Sequence, residues 1–326
     1  MANIVAISRI LDEADIIESF IRHTSTYTQH HIILDNGSTD GTIDILRSLK
    51  NEGFELTVYQ NKAVSFSEQS FMTFMYQKAI EEHQADWVAC LDGDEFIDDR
   101  NLPGGLIRTL LEVSDDVAAV KIPWHHYQYT RADNQDEKIV PRRMVKRFPE
   151  PDFYKVIVRG NLAGHEVVID NGGHDILLDR TRPDNSPIIP KVFLAHYSER
   201  NAPQTVVKFM RGWAKAKAAD RETRLQGISI HYQAPFEILR DRPGDLLRNE
   251  WFLKYKGESD NLVIDPIEYK GGPLRYTPDI DAAMLAVRSL SGYLEALADR
   301  HANLIDTIPE AKQFVDHSNR QHTKII

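Results

Sequence analysis

The chain has 326 residues, 42% of them hydrophobic and 27% charged, with 39 Lys plus Arg against 49 Asp plus Glu and a net charge of −10. This is enough for one large or two modest domains with a sizeable core. The acidic balance excludes a general binder of nucleic acid or of anionic membranes, either of which would show a basic surface. The single cysteine, Cys90, excludes an intramolecular disulfide, and its apolar neighbours make it a core residue rather than a nucleophile.

Met1-Ala2-Asn3 runs directly into Ile4-Val5-Ala6-Ile7, so no secretory leader is expected. No apolar run approaches the roughly 20 residues that span a bilayer. The expectation is a cytoplasmic chain, with peripheral membrane contact left open.

In chain order, Ile4 to Ser8 reads as a buried strand, followed by a helix on which Ile16, Ile17, Phe20 and Ile21 share a face. His31 to Leu34 is a second strand, running into Asp35-Asn36-Gly37-Ser38-Thr39-Asp40-Gly41-Thr42 and a helix from Ile43. Leu56 to Tyr59 is a third strand, Ser67 to His83 a helix, and Trp87 to Leu91 a fourth strand. Strands alternating with helices predict an α/β fold with a mainly parallel sheet and helices on both faces. Ligands of such sheets lie beyond the carboxyl ends of the strands. Polar segments follow strands two and four at that edge.

After about residue 118 the pattern changes. Val120 to Trp124, Met144 to Phe148, Lys155 to Arg159, Val167 to Ile169 and Val192 to Leu194 read as strands, with Arg180 to Pro190 the clearest loop. Helices are predicted at Ala202 to Ala219, Asp245 to Tyr255 and Asp281 to Asp306, with an irregular connector from Gly257 to Asp279 and a frayed end from His317. These patterns divide the chain into residues 1–200, with halves at 1–117 and 118–200, and a helical region at 201–326.

The polar segments carry the chemistry. In Leu91-Asp92-Gly93-Asp94-Glu95-Phe96, two carboxylates one residue apart beyond a strand end can converge on a divalent cation. Gly93 lets the backbone turn tightly beside a bulky ligand. Oxygen ligands suit Mg²⁺ or Mn²⁺, which complete their shells with water and substrate phosphates. Asp35 ends a buried strand at the same edge, where a carboxylate can accept a hydrogen bond from a base.

Residues 32–42 resemble the signature of family 2 glycosyltransferases, and "LDGDEFI" resembles the Asp-x-Asp-Glu-Phe form of their metal motif, found in a subgroup related to family 92. "SRILDEADIIESFIRH" is similar to that subgroup's opening, with Asp12 in place of the usual Asn. The three motifs occur in order, and the resemblance covers roughly residues 3–215. It implies a GT-A fold, a mixed and mainly parallel sheet flanked by helices, and transfer of a sugar from a nucleotide-diphosphate sugar, UDP-linked, to a glycan or glycolipid hydroxyl. It also implies metal dependence, inversion at the anomeric carbon and a place in the building of a surface polysaccharide. By position, Ser8, Glu13 and Asp35 would line the nucleoside pocket, Asp92 would lie near ribose and metal, and Asp94 would bind the metal.

Downstream, "FLAHYSERNAPQTVVKFMRGWAKA" resembles the subgroup's segment in which a histidine completes the metal site, here His196. Arg200, Lys208 and Arg211 follow as candidates to neutralise the diphosphate. Arg142, Arg143, Lys146, Arg147, Lys155 and Arg159 form a second basic cluster, with phosphates or an anionic acceptor as candidate partners. The sugar-stacking candidates are Trp124 to Tyr129, and the proton acceptor is expected at His165 or Glu166 in "AGHEVVID".

Competing readings make their own demands. A sugar nucleotidyltransferase would need a glycine-rich loop after the first strand, which "ISRILDEAD" lacks. A calcium module would need further acids where Phe96 and Ile97 stand. A non-catalytic sugar-binding protein on the same fold would bind nucleotide sugars without transfer. The C-terminal helices are expected to shape the acceptor site or to mediate self-association.

Overall fold

The computed structural model describes residues 2–63, 68–162, 164–219, 221–225, 227, 229–244 and 261–321. The predicted helix Asp245 to Tyr255, Ser67 at the start of the third predicted helix and residues 322–326 lie outside them.

The first half alternates as expected. Strands β1 (Ile4–Ile10), β2 (His30–Asp35), β3 (Leu56–Gln60) and β4 (Trp87–Cys90) are interleaved with helices α1 (Ile17–Thr24), α2 (Thr42–Glu52) and α3 (Glu68–His83). β1 is apolar almost throughout because both of its faces are covered. Ile4, Ala6 and Ile10 join the core beneath α1 and α2, while Val5 and Ile7 pack on the α3 side.

The remaining strands are β5 (Glu95–Asp98), β6 (Ala119–His126), β7 (Lys146–Arg147), β8 (Phe153–Arg159), β9 (Val167–Ile169), β10 (Ile176–Leu178), β11 (Phe193–His196) and β12 (Val263–Ile264). Eight strands form one mixed sheet in the order β3-β2-β1-β4-β8-β6-β11-β5. The first four run parallel, β8 is antiparallel to both neighbours, β6 and β11 are parallel, and β5 is antiparallel to β11.

β5 was not anticipated, and it shapes the site. β4 and β5 are four places apart in the sheet, about 19 Å if the sheet were flat. The link from Cys90 to Glu95 reaches about 17 Å fully extended, and it is a turn closed by Glu95 N–H donating to Asp92 O at 3.1 Å. The sheet must therefore curl, and Asp92-Gly93-Asp94 crosses the mouth of the curl.

Short helices α4 (Gly105–Leu111) and α5 (Val140–Arg143) lie between strands. Met144 to Phe148, expected as a strand, gives only the two residues of β7, because Pro141 opens a helical turn just before it. After β11 come α6 (Ala202–Ala218), α7 (Arg221–Leu225), α8 (Gln233–Asp241), α9 (Ala282–Thr307) and α10 (Pro309–Ser318). Asn201 caps α6 by accepting from Gln204 N–H at 2.9 Å. α9 packs along α6. Among the described residues, no helix is long and apolar enough to cross a membrane.

Candidate active site

A cleft of about 1010 Å³ opens at the mouth of the curl, walled by the ends of β1, β4, β6 and β11 and roofed by α6 and α9. Asp92, Asp94, Glu13 and His196 all line it. Asp94 Oδ1 lies 3.6 Å from His196 Nε2, since β11 pairs with β5 and brings the end of the strand beside the turn.

His196 stacks on Trp124, with ring centroids 4.1 Å apart, and its Nδ1 is buried without a hydrogen-bond partner. Burial pushes its pKa down to about 4 against the pull of Asp94, so the ring is neutral at physiological pH and its nitrogen can ligate. Burial alone would raise Asp94, yet His196, Lys208 and Arg200 hold it well below the usual carboxylate range.

Asp92 is engaged differently. Lys155, only 2% exposed, reaches from β8 to place Nζ 2.7 Å from Asp92 Oδ2 and 3.2 Å from Glu95 Oε1. Glu95 also accepts the Asp92 N–H at 2.8 Å. Burial among neighbouring acids pushes Glu95 up to about 8, although Lys155 opposes it. Asp92 is thus a carboxylate anchored by a lysine, and Asp94 is the one facing His196. Among the described residues no three His, Cys, Asp or Glu side chains converge as an all-protein metal cage. The pair Asp94–His196 fits a Mg²⁺ or Mn²⁺ ion whose other positions come from ligand oxygens and water.

Helix α6 supplies the cations. Lys208, Arg211 and Lys215 recur at i, i+3 and i+7 and all line the cleft. Lys208 Nζ is 3.6 Å from Asp94 Oδ2, Arg211 pairs with Asp12, and Lys215 donates to Asn36 Oδ1. Burial and the charges of Arg9 and Arg211 push Lys215 well below the usual lysine range. Gly212 lies within the stripe because a Cβ there would stand 2.6 Å from the Tyr232 ring. The spacing of these cations was visible in a segment read as helical. What lay beyond the sequence was which face of the helix meets the cleft.

Several residues expected in the site lie elsewhere. Ser8 is fully buried under the sheet, its Oγ 2.8 Å from His31 Nε2. Asp35 is also fully buried and closes its own loop, accepting from Gly37 N–H, Ser38 N–H and Gln60 Nε2. Arg200 is a fully buried clamp beneath the cleft, bidentate on Asp15 at 2.7 and 2.8 Å and bonded to Glu13 at 2.6 Å. It orients Glu13. His165 and Glu166 are exposed on the surface beside Asp179, which accepts from Glu166 N–H and lies 2.6 Å from His165 Nδ1. Local adjacency had suggested that pair, but the chain between β8 and β9 carries it away from the cleft.

Of the second basic cluster, only Arg143 and Lys155 reach the cleft. Arg147 pairs with Asp265, and Arg159 donates to the carbonyls of Val113, Ser114 and Val117. Trp124 and His126 line the cleft, whereas Tyr127 is buried and donates to Asp265 O at 2.6 Å. Glu199, which sequence reading missed, is 8% exposed at the cleft with Oε2 3.4 Å from His126 Nε2.

Residues 14–165 match the family described as glycosyl transferase family 2. No curated protein matches the chain. Among solved structures, a mannosyltransferase from Pyrobaculum calidifontis in complex with GDP-Man and Mn²⁺ is 13% identical over 96% of this chain and 82% of its own, at a TM-score of 0.39. Glucosyl-3-phosphoglycerate synthase from Mycobacterium tuberculosis, in complex with Mn²⁺, UDP and glucosyl-3-phosphoglycerate, is 22% identical over 38% of this chain and 44% of its own, at 0.29. HddC from Yersinia pseudotuberculosis is 11% identical over 40% of this chain and 65% of its own, at 0.26.

Proposed function

We propose that this chain, whose residues 14–165 match glycosyl transferase family 2, is a metal-dependent, inverting enzyme that moves a sugar from a nucleotide-diphosphate sugar to an acceptor hydroxyl. The observation that carries the reading is the convergence of Asp94 and His196 on the floor of the cleft, with Lys208 beside them. A divalent ion held there would supply charge stabilisation to the departing diphosphate. Lys208 and Arg211, on one face of α6, are placed to share that charge. Asp92, fixed by Lys155, is the group left for the ribose hydroxyls.

Inversion requires a base on the face of the sugar opposite the leaving group. We assign Glu199, oriented by His126, because it is a buried carboxylate at the cleft next to the ring that neighbours His196; the two ring centroids are 5.6 Å apart. The acceptor proton passes to Glu199 as the new C–O bond forms and the bond from the anomeric carbon to the phosphate oxygen breaks.

Calorimetric titration with UDP and GDP, with and without Mn²⁺, tests the donor half. Binding should require the metal and be lost in Asp94→Ala; nucleotide affinity indifferent to both would refute the assignment. Glu199→Gln should lower turnover about 10²–10⁴-fold with nucleotide affinity unchanged. The double substitution of His165 and Glu166 by Ala should leave turnover intact.

A further inference from the structure

Arg143, at the end of α5, differs from most cations of the cleft, and unlike Lys215, which donates to Asn36, it has a buried guanidinium nitrogen left without a partner. Lys155 is held by Asp92 and Glu95, Arg211 by Asp12, and Lys208 lies against Asp94. Arg143 lines the same cleft, yet no described carboxylate lies within ion-pairing distance of it. Its Nε is buried without a hydrogen-bond partner, and Nη2 makes one long contact, 3.4 Å, to the Arg200 carbonyl. The nearby acid Asp15 is already held in both oxygens by Arg200. Burial depresses the pKa of Arg143 and the charge of Arg200 adds to this, against the opposing pull of Asp15 and of Asp133, whose oxygens are taken by Thr130. A guanidinium kept so poorly compensated in a chain of net charge −10 is costly unless a ligand completes it.

Its position says which ligand. Arg200 links Arg143 to the metal pair, since its carbonyl accepts from Arg143 while its Nη1 is 3.8 Å from Asp94 Oδ2. Glu199, the assigned base, is the residue before Arg200. Arg143 therefore stands about one residue's reach from the reacting centre. Gln135, Lys138, Asn201 and Gln204 line the same cleft, and Lys138 is paired with Asp279.

We propose that Arg143 is the anion-binding group of an acceptor subsite, so that the acceptor carries a carboxylate or phosphate close to the hydroxyl that receives the sugar. The planar fork of arginine matches either oxyanion with two parallel hydrogen bonds. This assignment rests on the glycosyltransferase reading.

The test uses the full chain saturated with Mg²⁺ and with whichever of UDP or GDP it binds, so that the metal pair and the α6 stripe are already occupied. Glycerol 3-phosphate, glycerate and glycerol are then titrated by saturation-transfer NMR. At least one anionic probe should bind tenfold or more tightly than glycerol, and which of them does so distinguishes phosphate from carboxylate recognition. Arg143→Gln should abolish the preference and Arg143→Lys should keep part of it, with nucleotide affinity within twofold of the parent in both. Equal or absent binding of the three probes overturns the subsite, as does a preference that survives in a folded Arg143→Gln variant. Failure of nucleotide binding itself would instead bring down the glycosyltransferase reading, and this assignment with it.

Discussion

Lys155 Nζ lies 2.7 Å from Asp92 Oδ2, joining β8 to the turn that β4 hands to β5. A buried lysine thereby takes one acid of the Asp-x-Asp pair and leaves the other to face His196. The division of labour between Asp92 and Asp94 is thus set by a residue some sixty positions downstream.

Replacing Lys155 with Met removes the countercharge of Asp92 and Glu95 while keeping the side-chain bulk. Breaking a buried pair by removing one partner costs about 3–5 kcal/mol, because the remaining charge is left uncompensated. Denaturant unfolding should show a loss of that order. A loss below about 1 kcal/mol would mean that the lysine is not the counterion of the turn.

Much of the first half was legible because buried parallel strands write themselves as apolar runs between helical patterns, as in Ile4 to Ile10 and His30 to Asp35. β5 was not, because Glu95 and Asp98 are polar and yet buried, and the Lys155 that satisfies Glu95 comes from a distant strand. Asp94 and His196 could be paired from the sequence through resemblance to a motif. Ser8 and Asp35 could not be kept out of the cleft by the same means, because their partners His31 and Gln60 are fixed only by strand register. Glu199 was passed over for His165 and Glu166 because the register of β11 against β6, not any local pattern, brings it to His126.

Arg200 tests the clamp beneath the cleft. It is fully buried and bonds both oxygens of Asp15 as well as Glu13. Lysine keeps the charge but cannot make the bidentate fork. Arg200→Lys should cost about 2–4 kcal/mol in urea unfolding, within the range for a broken buried network. It should also lower kcat/KM by releasing Glu13. Unchanged kinetics in a folded variant would show that Glu13 has no part in the site.

His31 gives a pH prediction whose sign is fixed. It is buried between Ser8 on β1, Phe20 on α1 and its neighbour His30, and burial pushes its pKa down to about 3. Between that value and about 6.5 the unfolded chain binds a proton that the native protein refuses. Stability contributed through this residue therefore falls as pH drops below about 6.5, with a slope approaching about 1.4 kcal/mol per pH unit. His31→Phe lacks this linkage, and all other titrating groups are common to both proteins. Urea unfolding at pH 7.5 and pH 5.5 should show the variant gaining on the parent at the lower pH. A stability difference independent of pH would refute a neutral buried His31.

Helix α9 is locked onto the loops after β1 and β2. Thr39 Oγ1 donates to the Arg288 carbonyl at 3.2 Å, Ser289 Oγ donates to Asp12 Oδ2 at 2.5 Å, and a Cβ on Gly292 would stand 2.3 Å from the Thr39 side chain. Two effects compete in Gly292→Ala. Alanine is better than glycine in a helix by about 1 kcal/mol, but overpacking against a stiff β-branched neighbour costs about 1–3 kcal/mol. The clash should win, giving a net loss of about 1 kcal/mol and faster proteolytic removal of α9 and α10. In a Thr39→Gly background, where the methyl, the hydroxyl and Cβ are all gone, the same substitution should cost less, and the two changes should be non-additive. A stabilised Gly292→Ala protein, or strict additivity in the double variant, would show that α9 does not seat on Thr39.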